Sequence, residues 1–375
     1  MLSIAAGGPI VPGQTLIVFD EIQESNRALN ALKYFQEEAN QYHVAAAGSL
    51  LGVSLSRPSS FPVGKVDFLE VHPLSFFEFL DASGESALRG MLENLRRIEP
   101  IPEVFHQRLI ELLKIYYLTG GMPEPLATYL ETHDVRRMRQ AQSAILTSYP
   151  LDFSKHAPNA DVPRIMEVWR SIPAQLAREN RKFTYRSVNQ RARSRDYGDA
   201  LLWLDEAGLI LRAFQVSVPR QPLASYANRG AFKVYLLDVG LLGALSELSP
   251  DVLLSGDRLF TEFHGAMVEN YVAQQIAAKS NRELFYWSSQ GTAEVDFLRS
   301  TDSGIFPLEV KAGTSLKSKS LLAYNAKFSP PLLSRASLRN LRLDGRVLNY
   351  PLYCVPLFPE LGTSPSLGPP PQPGD

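Results

Sequence analysis

Leu16-Ile17-Val18-Phe19-Asp20-Glu21 is a run of four apolar residues leading directly into two carboxylates. A continuous apolar run without polar alternation predicts a strand covered on both faces, as in a parallel sheet flanked by helices. Working outward, Leu29, Leu32 and Phe35 fall at helical spacing within residues 26–40. His43-Val44-Ala45-Ala46-Ala47 then reads as a second buried strand ending at Gly48-Ser49. Strand, helix, strand predicts an α/β unit with a parallel sheet. Upstream, Pro12-Gly13 reads as the turn entering the first strand. The acid pair has two readings at this level. It is either a metal- and water-handling pair at the ligand end of a strand, or a strand entering a helix whose first turn favours acids.

The chain has 375 residues, long enough for two or three domains of about 100–200 residues each. Lys and Arg total 38 against 39 Asp and Glu, so the net charge of −1 argues against a surface that is uniformly attractive to nucleic acid. A single cysteine, Cys354, excludes an internal disulfide framework and a multi-cysteine zinc site, and reads as buried and inert. No apolar run approaches the roughly 18 residues of a membrane span, and no Lys/Arg-led signal peptide opens the chain. The expectation is a soluble cytoplasmic protein. The six histidines never fall at metal-ligand spacing, and Trp169 and Trp203 read as core.

Several motifs now fall in one order: Asp20-Glu21-Ile22-Gln23-Glu24, Ala47-Gly48-Ser49-Leu50-Leu51, Gly64-Lys65, Leu69-Glu70-Val71-His72-Pro73-Leu74-Ser75-Phe76-Phe77-Glu78-Phe79 and Tyr117-Leu118-Thr119-Gly120-Gly121-Met122-Pro123. Together they resemble a prokaryotic group of AAA-type ATPases carrying a C-terminal domain of unknown function. The resemblance runs to about residue 355. It implies that Leu16–Glu21 is the Walker B strand, with Asp20 holding Mg²⁺, Glu21 polarising the attacking water and Ser49 sensing the γ-phosphate of ATP. It also implies a strand and a G-x-x-x-x-G-K-[ST] loop several dozen residues before Walker B, where this chain has only 15 residues. Gly8-Pro9-Ile10-Val11-Pro12-Gly13-Gln14-Thr15 matches the spacing, but Gln14 cannot supply the cation and two prolines remove amide donors. An N-terminally truncated member is expected, with autonomous ATP hydrolysis improbable and ATP binding dependent on another protomer or a longer ATPase partner. Where the family has Gly-Arg, this chain has Gly64-Lys65, which loses the bidentate fork.

Residues 162–224 read as a small helical unit in which Asp199–Glu206 is a helix and Ala207–Arg212 opens a winged-helix-like strand. Arg178, Arg181, Lys182, Arg186, Arg191, Arg193 and Arg195 place seven basic residues in 18 positions, with Glu179 the one acid among them. They are expected to contact the phosphate backbone of DNA or RNA. A solvated or protein-binding face is the alternative.

Glu294-Val295-Asp296-Phe297-Leu298 and Leu308-Glu309-Val310-Lys311 read as adjacent strands of a hairpin turning near Asp302–Gly304. Glu309 and Lys311, two apart, point to one face. With Glu269 on a helix candidate at 258–279, the spacing is similar to the D-x(12)-E-x-K pattern of PD-(D/E)XK nucleases. Glu269, Asp296 and Glu309 are the expected Mg²⁺ ligands, and Lys311 is expected to orient water or stabilise the phosphorane charge. The alternative for the strand carboxylates is a pair satisfied by Lys311. Gln290 and Thr292 either shape this site or are turn residues.

The expected fold class is α/β multidomain: a partial AAA-type parallel sheet (1–85), a helical lid or linker (86–161), a winged-helix-like unit (162–225) and a PD-(D/E)XK-like α/β domain (226–358). The Pro-, Gly- and Ser-rich residues 359–375 are expected to be a disordered tail. The alternative function is a non-catalytic nucleic-acid or protein interaction module. A bare sheet edge at the N-terminal unit would further predict self-association.

Overall fold

The structure is a computed structural model that describes residues 2–5, 7–48, 64–178, 181–250, 264–280, 283–289, 293–314 and 317–363. The chain forms two compact units, Met1–Val71 with Leu202–Leu209, and His72–Leu201 with Ile210–Asp375.

In the first unit, α1 (Leu2–Ala5) precedes β1 (Leu16–Phe19), α2 (Asn26–Glu38) and β2 (His43–Ala46). β1 and β2 pair in parallel, Leu16 opposite His43 and Phe19 opposite Ala46. Ser25 caps α2, its hydroxyl accepting from the Ala28 amide at 3.3 Å. Leu29 is buried and the Phe35 ring lies 6.0 Å from that of Phe19, so α2 covers one face of the strand pair. The opposite face departs from the expected two-sided burial. Leu16 and Val18 are 59% and 60% exposed, so the strand alternates between covered and open positions.

In the second unit, helices come first: α3 (Phe76–Ala82), α4 (Ser86–Glu93), α5 (Glu103–Thr119), α6 (Pro123–Thr132), α7 (Val135–His156), α8 (Val162–Leu176), α9 (Tyr185–Val188) and α10 (Ser194–Glu206), whose last residues fall in the first unit. The Ser75–Phe79 string has a local physical role. Ser75 and Glu78 form a reciprocal capping box, with Ser75 N donating to Glu78 Oε2 at 2.7 Å. Phe76 and Phe79, both buried, pack at 5.7 and 5.3 Å from the Tyr116 ring. The Gly120-Gly121 link is equally constrained. Gly120 has φ +71°, and a Cβ there would sit 2.1 Å from Asp238 Oδ1, while one on Gly121 would sit 2.1 Å from the Leu74 carbonyl. That close approach lets the Gly121 amide donate to Asp238 Oδ2 at 2.6 Å.

The rest of this unit is an eight-stranded mixed sheet. Its strands are β3 (Ile210–Val216), β4 (Ala227–Leu236), β5 (Leu284–Ser288), β6 (Glu294–Thr301), β7 (Gly304–Val310), β8 (Leu333–Ser337), β9 (Arg342–Asp344) and β10 (Val347–Pro351), in the order β4-β3-β5-β6-β7-β8-β10-β9. β3, expected to open a separate wing, instead pairs antiparallel with β4 and parallel with β5, and so belongs to the large sheet. Three helices complete it: α11 (Val239–Leu245), α12 (His264–Ser280) and α13 (Lys319–Phe328). α12 packs on β3, β4, β5 and β7, and α13 on β6, β7 and β8. Four consecutive-face polar residues hold α12 in the core. Asn270 bonds both backbone groups of Leu236, at 2.7 and 3.0 Å, and Gln275 accepts from Phe76 N at 2.8 Å. Gln274 accepts from Val239 N at 3.0 Å, and Glu269 is the fourth. Glu360–Thr363 is a short helix, α14, with Leu361 buried, inside the stretch expected to be a loose tail; residues 364–375 lie outside the described residues. No helix among the described residues is long and apolar enough to cross a membrane.

Candidate functional site

Asp20 and Glu21 stand at the C-terminal end of β1, the end where open parallel sheets take ligands. Ala47 N donates to Phe19 O at 2.8 Å and Ile22 N to Ala47 O at 3.0 Å, which stitches the two strand ends together around the pair. Asp20 Oδ1 accepts from the Glu21 amide at 3.0 Å, and Gln23 donates to Glu21. Glu21 takes a left-handed backbone, φ 48° and ψ 47°. For a non-glycine residue that costs about 1 kcal/mol or more, and such strain concentrates at functional positions. Ser49 lies outside the described residues. Lys65 forms an ion pair with Glu37 at 3.2 Å.

Both exposed carboxylates suit a divalent cation held partly through water. The Gly8–Thr15 stretch does not suit the triphosphate. The amides of Gly8, Val11, Gly13, Gln14 and Thr15 all donate within the protein: to Ser3 O, Thr15 Oγ1, Gln41 O, Val11 O and Val11 O. Pro9 and Pro12 have no amide to offer, and the strand β1, not a helix, follows. Pro12-Gly13 is the turn that the sequence predicts. Asp20 and Glu21 therefore fit the metal end of a Mg²⁺-nucleotide, and Gly8–Thr15 offers its phosphates no cradle.

The second cluster lies on the large sheet. Phe297 pairs with Leu308 in the antiparallel β6–β7 ladder, which sets Asp296 beside Glu309 one step on; Asp296 Oδ2 accepts from Val310 N at 2.8 Å. Glu269, on α12, is 1% exposed and meets the same region. Asp296 and Glu309 are neighbours across the β6–β7 ladder, and a cation of the protein stands between Asp296 and Glu269. Lys233 Nζ, on β4, lies 2.9 Å from Glu269, 2.6 Å from Glu294 and 3.6 Å from Asp296, and Lys233 is itself 1% exposed. Arg181 and the Tyr235 hydroxyl also donate to Glu269. Arg181 arrives because Phe183 N donates to Phe232 O at 2.8 Å, laying residues 181–183 along β4, and because Gly265 leaves room for its guanidinium. Among the described residues, no group of three or more His, Cys, Asp or Glu side chains is placed to hold a metal ion. Of the expected ligand set, Glu269 is thus paired with Lys233 and Arg181, Asp296 with Lys233, and Glu309 with Lys311.

Glu309 is 4% exposed, its Oε1 paired with Lys311 at 2.8 Å while Oε2 has no hydrogen-bond partner. Burial raises its pKa above the ordinary carboxylate value, and the nearby Asp296 charge adds to this; Lys311 opposes both. Burial likewise holds the Tyr235 phenol well above its usual value. Gln290 and Thr292 lie outside the described residues. Lys233, Tyr235 and Glu294 are the residues that the motif reading misses. Lys233-Val234-Tyr235 signals two polar groups on one strand face, but nothing local connects them to Glu269, more than thirty positions away.

Of the basic set, Arg186, Arg191, Arg193 and Arg195 are exposed on and around α9 and the start of α10. Arg181 is drawn inward by Glu269, Lys182 reaches Ser288 at 3.4 Å, and Arg178 donates to Thr184 Oγ1 at 2.7 Å.

Residues 3–80 match the AAA domain family, residues 110–252 a domain of unknown function (DUF8612) and residues 264–355 a second domain of unknown function (DUF4143). The AAA domain match is confined to the N-terminal residues 3–80 of the chain. Among solved structures, the Walker-type ATPase PABY2304 of Pyrococcus abyssi is similar at 14% identity with a TM-score of 0.38, over 61% of this chain and 62% of that one. The curated proteins give no match.

Proposed function

We propose that the chain is an AAA-type ATP-binding protein whose second unit binds DNA through its phosphate backbone without cutting it. The observation that carries this reading is the Lys233 ammonium among Glu269, Glu294 and Asp296. A divalent cation entering there must displace a buried ammonium that already pairs with the carboxylates, and Arg181 adds a second positive charge. DNA contact falls to the exposed Arg186, Arg191, Arg193 and Arg195, free of the buried cluster. In the first unit, Asp20 and Glu21 are the residues that would hold Mg²⁺, which would supply positive charge to the phosphates of a bound nucleotide. Asp20 holds its own orientation through the Glu21 amide, and Glu21 through Gln23. The phosphates themselves find no cradle in Gly8–Thr15, so this chain is not proposed to hydrolyse ATP alone.

One feature favours a second reading, a metal-dependent nuclease using Asp296 and Glu309 with Glu269 and Lys311. Glu309 Oε2 is buried without a partner next to Asp296. Fluorescence anisotropy with duplex DNA tests the binding claim: the wild type should bind, and Arg191→Ala with Arg193→Ala should weaken binding uniformly across sequences. Unchanged affinity in that double variant would reject the assignment.

A further inference from the structure

The N-terminal turns of α7 carry three arginines, and their partners differ. Arg137 reaches Asp134, the N-cap, at 3.9 Å, and Asp134 also accepts from the amides of Arg136 and Arg137 at 2.8 and 3.2 Å. Its charge is therefore engaged locally. Arg136 and Arg139 have no carboxylate paired with them among the described residues. Arg139 is partly buried and donates to two neutral acceptors, Gln142 Oε1 at 2.9 Å and Leu248 O at 3.1 Å. Desolvation lowers its pKa from the ordinary guanidinium value, the mark of a cation that lacks an anion.

Arg139 is also held in place. Gln142 is fully buried, and its amide donates to the carbonyls of Leu118 and Thr119, both at 3.0 Å, while its oxygen accepts from Arg139. The guanidinium is thus fixed from a satisfied amide anchored just before the Gly120-Gly121 link. It faces an open groove of about 480 Å³ lined by Val135, Arg136, Arg139, Gln140, Ser143 and Pro250. Arg136 and Arg139, three apart on a helix, share one face of it. Helix amides contribute little to an anion here, because Asp134 takes those of Arg136 and Arg137; the recognition falls to the side chains.

We propose that this groove binds a small phosphate-bearing ligand between the guanidinium groups of Arg136 and Arg139. A carboxylate would leave one of the two arginines uncompensated, whereas a phosphate monoester carries about −1.5 to −2 at pH 7 and offers three acceptor oxygens to two forks.

Isothermal titration of the full chain with inorganic phosphate and with phenyl phosphate, at ionic strength fixed with sodium chloride, tests it. Saturable binding is expected, weakened roughly tenfold or more in both Arg139→Gln and Arg136→Gln, and unchanged in Asp20→Ala. Arg136 is exposed, so its variant stays informative should Arg139→Gln fail to fold. Absence of saturable binding, equal affinity in the arginine variants, or acetate binding as tightly as phosphate would each overturn the proposal.

Discussion

Replacing Lys233 by Met removes the ammonium while keeping an unbranched side chain of similar length. Lys233 is 1% exposed and serves three carboxylates within 4 Å, one of which, Glu269, is also 1% exposed. After the change, Glu269 keeps Arg181 and Tyr235, but Glu294 and Asp296 lose the cation that faces them. Breaking a buried ion pair from one side costs about 3–5 kcal/mol, because it strands charge in a poorly solvated site. Partial exposure of Glu294 and Asp296, at 28% and 15%, puts the expectation at the lower end, about 3 kcal/mol. Urea unfolding, with amide exchange of β4 and α12 as the local readout, measures it. The double variant Lys233→Met with Glu269→Gln should cost less than the sum of its parts, by about 1–3 kcal/mol of coupling. A single variant within about 0.5 kcal/mol of wild type would refute the idea that Lys233 neutralises the cluster.

DNA affinity should fall with salt at a log–log slope of about −3 to −4, one phosphate contact for each exposed arginine, and each Arg→Ala among 186, 191, 193 and 195 should flatten it by about 1. His106 shares a hydrogen bond of 2.7 Å with the Tyr353 hydroxyl, and burial lowers its pKa below the ordinary value. Its contribution to stability is therefore present above about pH 6.5 and lost as pH falls through the folded-state value, so melting curves of His106→Gln should show a weaker pH dependence in that window. Gly120→Ala and Gly121→Ala should each destabilise by at least about 2 kcal/mol, since their Cβ atoms would collide with Asp238 and the Leu74 carbonyl. Gly198→Ala, inside α10 with nothing within 4 Å of its Cβ, should stabilise by about 0.5–1 kcal/mol in the same thermal melts.

What is legible in the sequence is what local physics decides. The β1–α2–β2 crossover follows from an apolar run, helical spacing and a serine cap. Asp296 and Glu309 come together because 12 intervening residues suit a hairpin. The turn at Pro12-Gly13 follows from backbone preferences alone. What is not legible depends on distant pairing. Lys233 is 36 residues from Glu269 and 63 from Asp296, and only the sheet order β4-β3-β5-β6 and the packing of α12 bring them within an ion-pair distance. Arg181 reads from sequence as part of a surface patch with its basic neighbours, yet the short pairing with β4 turns it to Glu269. The exposed face of β1 is invisible for a related reason. Four apolar residues specify a strand able to be covered on both sides, but the covering element is not encoded in the strand. Sequence spacing thus finds the carboxylates and overlooks the cation that answers them.

The most direct measurement is plasmid cleavage under saturating binding. The full chain is incubated with supercoiled DNA and Mg²⁺ or Mn²⁺, beside Asp296→Ala, with anisotropy run on the same samples. The internal pairing of Glu269, Glu294 and Asp296 with Lys233 predicts that both proteins bind DNA and neither nicks it. Metal-dependent nicking by the wild type that disappears in Asp296→Ala would contradict it.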